Sequence, residues 1–199
     1  MIFMHKDLKE KGFSSYQIKK LVNDGKLYMV KDIYSTTKEI NYLEYIAVKH
    51  PNAVLNLYTA CYCYGLLKKN YKPYIIATKQ KDRKIIDENI KQTFMTDELY
   101  EIGISNIKFQ NVHLKVYDLE RLLIEVIRNK VYLEYDIYQE IIRNYRRIIK
   151  LLNKKKLAAY LPYFKDKRII ERIEREIYDW KFTVGECLQM TYQKSVFAL

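Results

Sequence analysis

Hydrophobic and polar positions near the start of the chain predict a short capped helix. Ser14 and Gln17 have the spacing of a capping box, in which each side chain bonds the backbone N–H of the other residue. Phe13 and Ile18 flank this pair at the two positions of a hydrophobic staple, which fixes how the chain enters the helix. Gly25 suits the left-handed conformation that ends many helices. The pattern therefore predicts a helix between residues 14 and 24.

The predicted helix has one apolar face and one polar face. Its apolar residues recur with helical spacing at Ile18, Leu21 and Val22. The polar residues that point the opposite way are Tyr16, Lys19, Lys20 and Asn23.

The elements around this helix suggest a DNA-binding module. Residues 6–11 predict a short helix before it, and residues 27–30 and 33–35 predict two strands joined by the turn Lys31-Asp32. Helix, turn, capped helix and hairpin is the order of a winged helix-turn-helix, whose second helix enters the major groove. We predict this domain over residues 1–37 and a larger domain over residues 38–199. The predicted DNA-binding residues are Ser15, Tyr16, Lys19, Lys20, Asn23, Lys26 and Lys31. The alternative is a small packing module whose polar face is only solvated.

The larger domain is predicted to be mixed α/β with a small sheet and a helical C-terminus, so that the whole chain is α+β and mostly helical. Predicted helices cover residues 39–50, 57–67, 97–102, 118–129, 134–152, 154–164 and 167–181. A strand is predicted over residues 73–79 and a hairpin over 107–109 and 114–117, while residues 82–92 are ambiguous and could be helical.

The charge of the chain favours a polyanionic partner, either nucleic acid or an anionic membrane. The formal net charge is +12, and residues 143–175 hold twelve Lys or Arg against three acids. Spacings of three, four and seven residues place part of this charge on one helical stripe. The predicted phosphate-contacting stripe comprises Arg143, Arg146, Arg147, Lys150 and Lys154. A solvated face, or a face that binds an acidic protein, is the alternative.

No catalytic motif is recognisable in the sequence. Its three His are far apart, and the three cysteines, Cys61, Cys63 and Cys187, lack metal-ligand spacing and fit small buried side chains. We therefore predict no enzyme activity, no metal and no cofactor. Asp118, Glu120 and Glu125 could suggest a metal-dependent nuclease, but a helix cap and ion pairs explain them better. The 20 Tyr fit an AT-rich coding sequence or selection for nucleic-acid stacking.

Neither the N-terminus nor the longest apolar stretch has the pattern of an export signal or a membrane span. The first six residues lack the apolar region of a signal peptide, and the longest apolar stretch, residues 53–67, is too short to span a bilayer. We therefore expect a cytoplasmic protein without a membrane partner.

Several segments resemble the antitoxin component of abortive-infection type IV toxin–antitoxin systems, the AbiEi family, also described as predicted transcriptional regulators of viral defence systems. The similarity covers about residues 6–145. Its segments are residues 6–14, 21–27, 33–34, 52–55, 59–66, 75–78 and the Val116-Tyr117-Asp118-Leu119-Glu120-Arg121 junction. The resemblance implies a winged helix that binds double-stranded DNA in its own promoter and represses it. It also implies functional opposition to a nucleotidyltransferase-like toxin without a stable complex.

The sequence is compatible with three alternatives. The chain could be a winged-helix regulator of the same fold without a toxin partner. It could instead be a degenerate nuclease-like domain, or a module whose basic face binds an acidic protein.

Overall fold

The N-terminal part of the chain forms a three-stranded sheet with two short helices. The computed structural model describes residues 1–110, 112–166 and 168–178. Its first elements are β1 (Ile2–Phe3), α1 (His5–Glu10), α2 (Ser15–Asn23), β2 (Tyr28–Val30) and β3 (Ile33–Ser35). The strands are antiparallel in the order β1-β3-β2. The sequence does not predict strand β1, because two residues give no periodicity and their partners, Ser35 and Tyr34, lie far along the chain.

This N-terminal unit has a small apolar cluster of its own. Leu8, Ile18 and Leu27 are buried together, and Phe13 packs against them. On the other side of the small sheet, Ile2 and Ile33 belong to the main core of the protein. The unit is therefore packed against the rest of the chain and not joined to it only by a linker.

The second sheet has five strands in the order β6-β5-β4-β8-β7. The strands are β4 (Val54–Leu55), β5 (Tyr74–Lys79), β6 (Ile90–Met95), β7 (Ile104–Phe109) and β8 (Val112–Tyr117). Strand β5 is parallel to β6 and β4 is parallel to β8, whereas the other pairs are antiparallel. The predicted strand over residues 73–79 and the predicted hairpin are confirmed, since Ile107 pairs with Leu114.

The helical option for residues 82–92 is wrong. Residues 80–89 form no helix, and β6 begins at Ile90. Lys91 and Thr93 are exposed on this strand because it lies at the edge of the sheet. Hydrogen bonding with β5, and not a local pattern, makes this segment a strand.

Helices surround the five-stranded sheet and form the C-terminal part of the described chain. The α-helices are α3 (Tyr42–Lys49), α4 (Leu57–Cys63), α5 (Asp97–Glu101), α6 (Leu119–Arg128), α7 (Tyr135–Arg147), α8 (Lys154–Tyr160) and α9 (Arg168–Ile173). Short 3-10 turns cover Lys130–Tyr132, Ile149–Leu151 and Leu161–Tyr163, and a π-helical turn covers Glu174–Tyr178. The mixed α/β fold with small sheets and a helical C-terminus is confirmed.

The predicted helix over residues 134–152 is wrong in its second part. Helix α7 ends at Arg147, and the chain is extended at Leu152, whose side chain is buried. Asn153 then accepts a hydrogen bond from the backbone of Lys156 and so caps α8. The predicted helix over 154–164 ends as a 3-10 turn. The helix predicted over 167–181 is described only from Arg168, and residues 167 and 179–181 lie outside the described residues.

Helix α6 lies at the centre of the core. Leu122, Leu123, Ile124, Val126 and Ile127 are each fully buried, and α4, α8 and α9 pack against this helix. Within the described ranges, no helix is both long and apolar enough to cross a bilayer.

Candidate nucleic-acid interface

Helix α2 begins with the predicted capping box. The Ser14 Oγ accepts a hydrogen bond of 3.2 Å from the Gln17 N–H, and the Gln17 Oε1 accepts one of 2.7 Å from the Ser14 N–H. Ile18 is only 1% exposed and anchors the helix to Leu8 and Leu27. These contacts fix which face of α2 is turned towards solvent.

The solvent face of α2 is basic and polar. Every predicted contact residue on or just after this helix is exposed, namely Ser15, Tyr16, Lys19, Lys20, Asn23 and Lys26. No Asp or Glu lies between Ser15 and Asn23. Within the described part of the chain, the Lys19 and Lys20 ammonium groups have no ion-pair partner, since none of the salt bridges involves them. The structure therefore brings these predicted residues together on one accessible surface.

Lys31 stands apart from that surface because its charge already has partners. Its Nζ lies 2.5 Å from Asp87 Oδ2 and donates to the Tyr42 hydroxyl at 2.6 Å. The Tyr42 hydroxyl also donates to Asp87. Burial acts to lower the pKa of Lys31, but the hydrogen bonds with Asp87 and Tyr42 outweigh it and raise the pKa above 10.5. A phosphate contact from Lys31 would therefore compete with Asp87.

The neighbouring turn residue is engaged in the same way. Asp32 forms an ion pair with Lys49 at the end of α3, and that hydrogen bond lowers the pKa of the Asp32 carboxyl. Both residues of the β2–β3 turn thus bind side chains of the larger part of the protein. Neither Asp87 nor Tyr42 is predictable as a partner of Lys31 from the sequence, because no spacing relates residues so far apart along the chain.

The predicted C-terminal basic stripe is not a single helical face. Arg143, Arg146 and Arg147 lie in the last turns of α7, but Lys150 lies in a 3-10 turn and Lys154 begins α8. A single stripe requires an uninterrupted helix, and α7 ends at Arg147. The prediction of one helical stripe is therefore wrong. Four of the five residues are nevertheless exposed, the exception being Arg146.

Arg146 has a structural role. Its Nε donates a hydrogen bond of 2.8 Å to the backbone oxygen of Glu176, which ties α7 to the π-helical turn. Arg147 donates to the Asn144 Oδ1 at 3.0 Å, and Lys154 lies over the ring of Tyr178 at 4.6 Å. The exposed cations at this end of the protein therefore form a looser patch than the sequence pattern predicted.

The three carboxylates of the nuclease alternative all bind neighbouring groups of the fold. Asp118 caps α6 by accepting a 2.9 Å hydrogen bond from the Arg121 N–H, and its other oxygen binds Lys156 and Tyr160 at 2.8 Å each. Glu120 accepts a hydrogen bond from the backbone of Asn153 at 2.7 Å. The hydrogen bond with Asp118 is the main reason that the pKa of Lys156 is raised.

Glu125, the third carboxylate, forms a buried ion pair. It lies 2.7 Å from Arg121, and the two side chains are 3% and 0% exposed. Over residues 1–110, 112–166 and 168–178, no group of three His, Cys, Asp or Glu is placed to hold a metal ion. The geometry favours the cap and ion-pair roles that the sequence suggested for these residues.

Two of the three cysteines lie in the described chain, and both are free thiols. Cys61 is fully buried, as predicted, whereas Cys63 is half-buried. Burial raises the pKa of the Cys63 thiol to about 12, so that it is protonated at neutral pH. Cys187 lies outside the described residues.

Comparison with known proteins shows a similarity of fold. No family model and no curated protein matches the chain. The crystal structure of the RV2827C protein from Mycobacterium tuberculosis is similar, with a TM-score of 0.65 and 12% sequence identity. The similarity covers 89% of this chain and 71% of that one. At this identity the comparison establishes that the two proteins share a fold.

Proposed function

We propose that the chain is a DNA-binding regulator whose α2 inserts into the major groove of its own promoter. In this proposal residues 1–37 act as a winged helix, with α2 as the recognition helix and the β2–β3 hairpin as the wing. The observation that carries the proposal is the exposed face of α2, which presents Tyr16, Lys19, Lys20 and Asn23 without an acid.

The chemistry of this face suits double-stranded DNA. Lys19 and Lys20 are exposed cations that can neutralise phosphates and release counterions. Asn23 and Ser15 are short polar side chains of types that bond base edges or the sugar-phosphate backbone. The burial of Ile18 and the cap at Ser14 hold these groups on a rigid scaffold, which lowers the entropy cost of ordering them on binding.

The ion pairs of the β2–β3 turn limit how much the wing can contribute to DNA binding. Since Lys31 and Asp32 bind Asp87 and Lys49, the hairpin is held against the larger part of the protein. We infer that α2 supplies most of the affinity and that Lys31 contributes little while Asp87 is present. The exposed residues of the C-terminal patch, Arg143, Arg147, Lys150 and Lys154, are proposed as additional phosphate contacts.

Binding to the protein's own upstream DNA tests this proposal. The full chain is titrated against that duplex and against a scrambled duplex of equal length, over a series of salt concentrations. Lys19→Ala/Lys20→Ala is expected to lower the salt slope by about 2. It is also expected to remove the preference for the upstream duplex, because the phosphate contacts of the recognition helix fix its register against the base edges. Arg143→Ala/Arg147→Ala is expected to weaken both duplexes equally, because phosphate contacts do not depend on sequence.

A matched variant controls for the loss of charge. Lys68→Ala/Lys69→Ala removes two adjacent exposed lysines from the larger domain and is expected to retain the preference for the upstream duplex. The proposal is wrong if wild type shows no preference at low salt. It is also wrong if the two double-lysine variants lose the same affinity.

The antitoxin role is a second proposal, and it rests on the resemblance of residues 6–145 to the AbiEi family. We propose that the protein opposes a nucleotidyltransferase-like toxin without forming a stable complex with it. The test is co-expression with the product of the adjacent gene. Restored growth without co-purification is expected, and growth arrest that persists would contradict the role.

Each alternative has its own test. If the adjacent gene encodes no nucleotidyltransferase-like protein, the chain is a regulator without a toxin partner. The nuclease alternative requires metal-dependent cleavage that Asp118→Ala abolishes. The packing of Asp118, Glu120 and Glu125 gives that alternative no support. An acidic protein partner in place of DNA would leave both duplexes unbound at low salt.

A further inference from the structure

A cavity lies on one face of the five-stranded sheet, between α4, β6 and the start of α7. Its volume of about 420 Å³ is within the range of small-molecule sites. Ile75 of β5 and Lys91 of β6 both line it, and these two residues are paired in the sheet. Alternate residues of a strand point to the same face, so Thr93 lies on this face as well, and it also lines the cavity. We call this feature the α4 cavity.

Hydrogen bonds and a ring contact hold the wall of the α4 cavity in place. The hydroxyl of Tyr58 donates a hydrogen bond of 2.6 Å to the backbone oxygen of Pro73, and its ring packs edge to face against Tyr71. The Asn129 amide donates to the backbone oxygen of Glu125 at 2.8 Å and to its carboxylate at 3.2 Å. Tyr58, Tyr71, Pro73 and Asn129 all line the cavity. A fixed wall lowers the entropy cost of binding a ligand.

The backbone is strained at one point of this wall. Leu57 lines the cavity and has a φ of +45°, in the left-handed region that residues with a Cβ rarely adopt. The Asn56 Oδ1 accepts a hydrogen bond of 2.7 Å from the Leu57 N–H and helps to hold this conformation. Such conformations are costly and concentrate at ligand-binding and active sites, which favours a functional role for the cavity.

One aromatic ring in the lining is open to solvent. Tyr132 belongs to the 3-10 turn before α7 and is 80% exposed. An exposed ring beside a cavity offers a flat surface on which a planar ring of a ligand can stack. The apolar area that stacking would cover is otherwise in contact with water.

Two cations lie in the same lining. Lys72 and Lys91 are both exposed, and within the described residues neither has an ion-pair partner. Lysine ammonium groups bind phosphate as point charges. Glu134 is the one acid among the described residues that line the cavity, so the positive side chains outnumber the negative one. A carboxylate is also a group that binds sugar hydroxyls in nucleotide sites.

We propose that the α4 cavity binds a nucleoside monophosphate. The base stacks on Tyr132, the phosphate binds Lys72 and Lys91, and the sugar hydroxyls donate hydrogen bonds to Glu134. This ligand accounts for the ring, the two cations and the acid together, whereas inorganic phosphate would use only the cations. The inference does not depend on promoter binding by α2 or on the antitoxin role.

Isothermal titration calorimetry of the full chain with AMP, GMP, CMP and UMP tests the proposal. Wild type is expected to bind at least one of them. The tightest of the four is then compared with two fragments, namely its nucleoside and ribose 5-phosphate. Each fragment is expected to bind about tenfold more weakly or less, because the nucleoside lacks the charged group and ribose 5-phosphate lacks the base.

The fragments also show which side chain binds which part of the ligand. Lys72→Ala/Lys91→Ala is expected to weaken binding of the nucleotide about tenfold or more and to leave the nucleoside unaffected. Tyr132→Ala is expected to weaken the nucleotide and the nucleoside about fivefold or more and to leave ribose 5-phosphate unaffected. Wild type is expected to prefer the nucleotide over its 2′-deoxy form, and Glu134→Gln is expected to reduce this preference.

Matched controls separate the α4 cavity from the general positive charge of the protein. Lys108→Ala/Lys115→Ala removes two exposed lysines from strands of the same sheet that do not line the cavity. Tyr135→Ala removes a ring that is 73% exposed and lies outside the lining. Both variants are expected to bind the nucleotide within about twofold of wild type. Thermal melting of every variant verifies that it is folded.

Three results would overturn the inference. The first is an absence of binding of all four nucleotides to wild type at low salt. The second is an affinity of wild type for ribose 5-phosphate equal to that for the nucleotide, which would mean that no base is bound. The third is a loss in Lys108→Ala/Lys115→Ala as large as that in Lys72→Ala/Lys91→Ala, which would assign the binding to net charge.

Discussion

Lys31 and Asp87 form an ion pair of 2.5 Å that joins the β2–β3 turn to the loop between β5 and β6. The Asp87 side chain is only 4% exposed, and Tyr42 donates a second hydrogen bond to it. The contact holds the hairpin of the N-terminal unit in a fixed position relative to the larger sheet. It also occupies the one basic residue of the predicted wing turn.

Asp87→Asn is expected to lower the free energy of unfolding by about 1 kcal/mol near neutral pH, because it removes a charged acceptor from a lysine whose side chain is partly exposed. Burial acts to raise the pKa of Asp87, but the hydrogen bonds from Lys31 and Tyr42 lower it overall from 3.8. The stabilisation is therefore complete above the ordinary pKa and is lost as the pH falls through the lowered one.

Urea unfolding from about pH 7 to about pH 3 measures this difference. The gap between wild type and Asp87→Asn is expected to shrink towards the acid end. Glu88→Gln, at an exposed neighbour, is the control and should behave like wild type. A gap that stays constant with pH would contradict a role for the Asp87 charge.

Glu125→Ala is expected to destabilise the protein by about 3–5 kcal/mol, because it leaves the Arg121 guanidinium buried without its counter-charge. That group is 0% exposed and lies between the rings of Tyr117 and Phe164, at 4.6 and 4.7 Å from their centroids. Chemical denaturation measures the loss. Arg128→Gln removes the more exposed partner of the same carboxylate and should cost less than about 1 kcal/mol. Equal losses in the two variants would argue against a special role for the buried pair.

Gly103→Ala is expected to destabilise the protein by more than about 2 kcal/mol, because no space exists for the methyl group. An added Cβ would lie 2.5 Å from the Arg121 Cβ and 3.3 Å from the Asp118 Oδ2. Gly65→Ala is the matched variant: Gly65 has a similar positive φ of +70° but no atom within 4 Å of the added carbon. It should show only the backbone strain, about 1 kcal/mol. An equal fall in the melting temperatures of the two variants would show that backbone strain, and not contact with Arg121, causes the destabilisation.

Ser14→Ala is expected to lower stability by about 1 kcal/mol through loss of the cap on α2. Ser15→Ala changes the next residue, which is exposed within the helix, and should be close to neutral. Amide hydrogen exchange of α2 separates the two, since faster exchange is expected only in Ser14→Ala. Similar exchange in both variants would mean that the capping box contributes little to α2.

The sequence by itself determined the elements whose cause is local. The cap at Ser14, the burial of Ile18 and the hairpin of β7 and β8 all depend on residues within a few positions or on one short turn. Exposure of Lys19 and Lys20 was predictable for the same reason, since helical periodicity decides which side of α2 faces solvent. The cap role of Asp118 also follows from its position before a helix.

The tertiary structure alone decided the relationships between distant residues. Strand β6 exists because β5 lies beside it, and α7 stops at Arg147 because the chain must bury Leu152. The partners of Lys31 lie 11 and 56 residues away, so no local pattern could reveal that its charge is occupied. Periodicity describes one element at a time, whereas ion pairs, edge strands and cavities arise only when elements pack together.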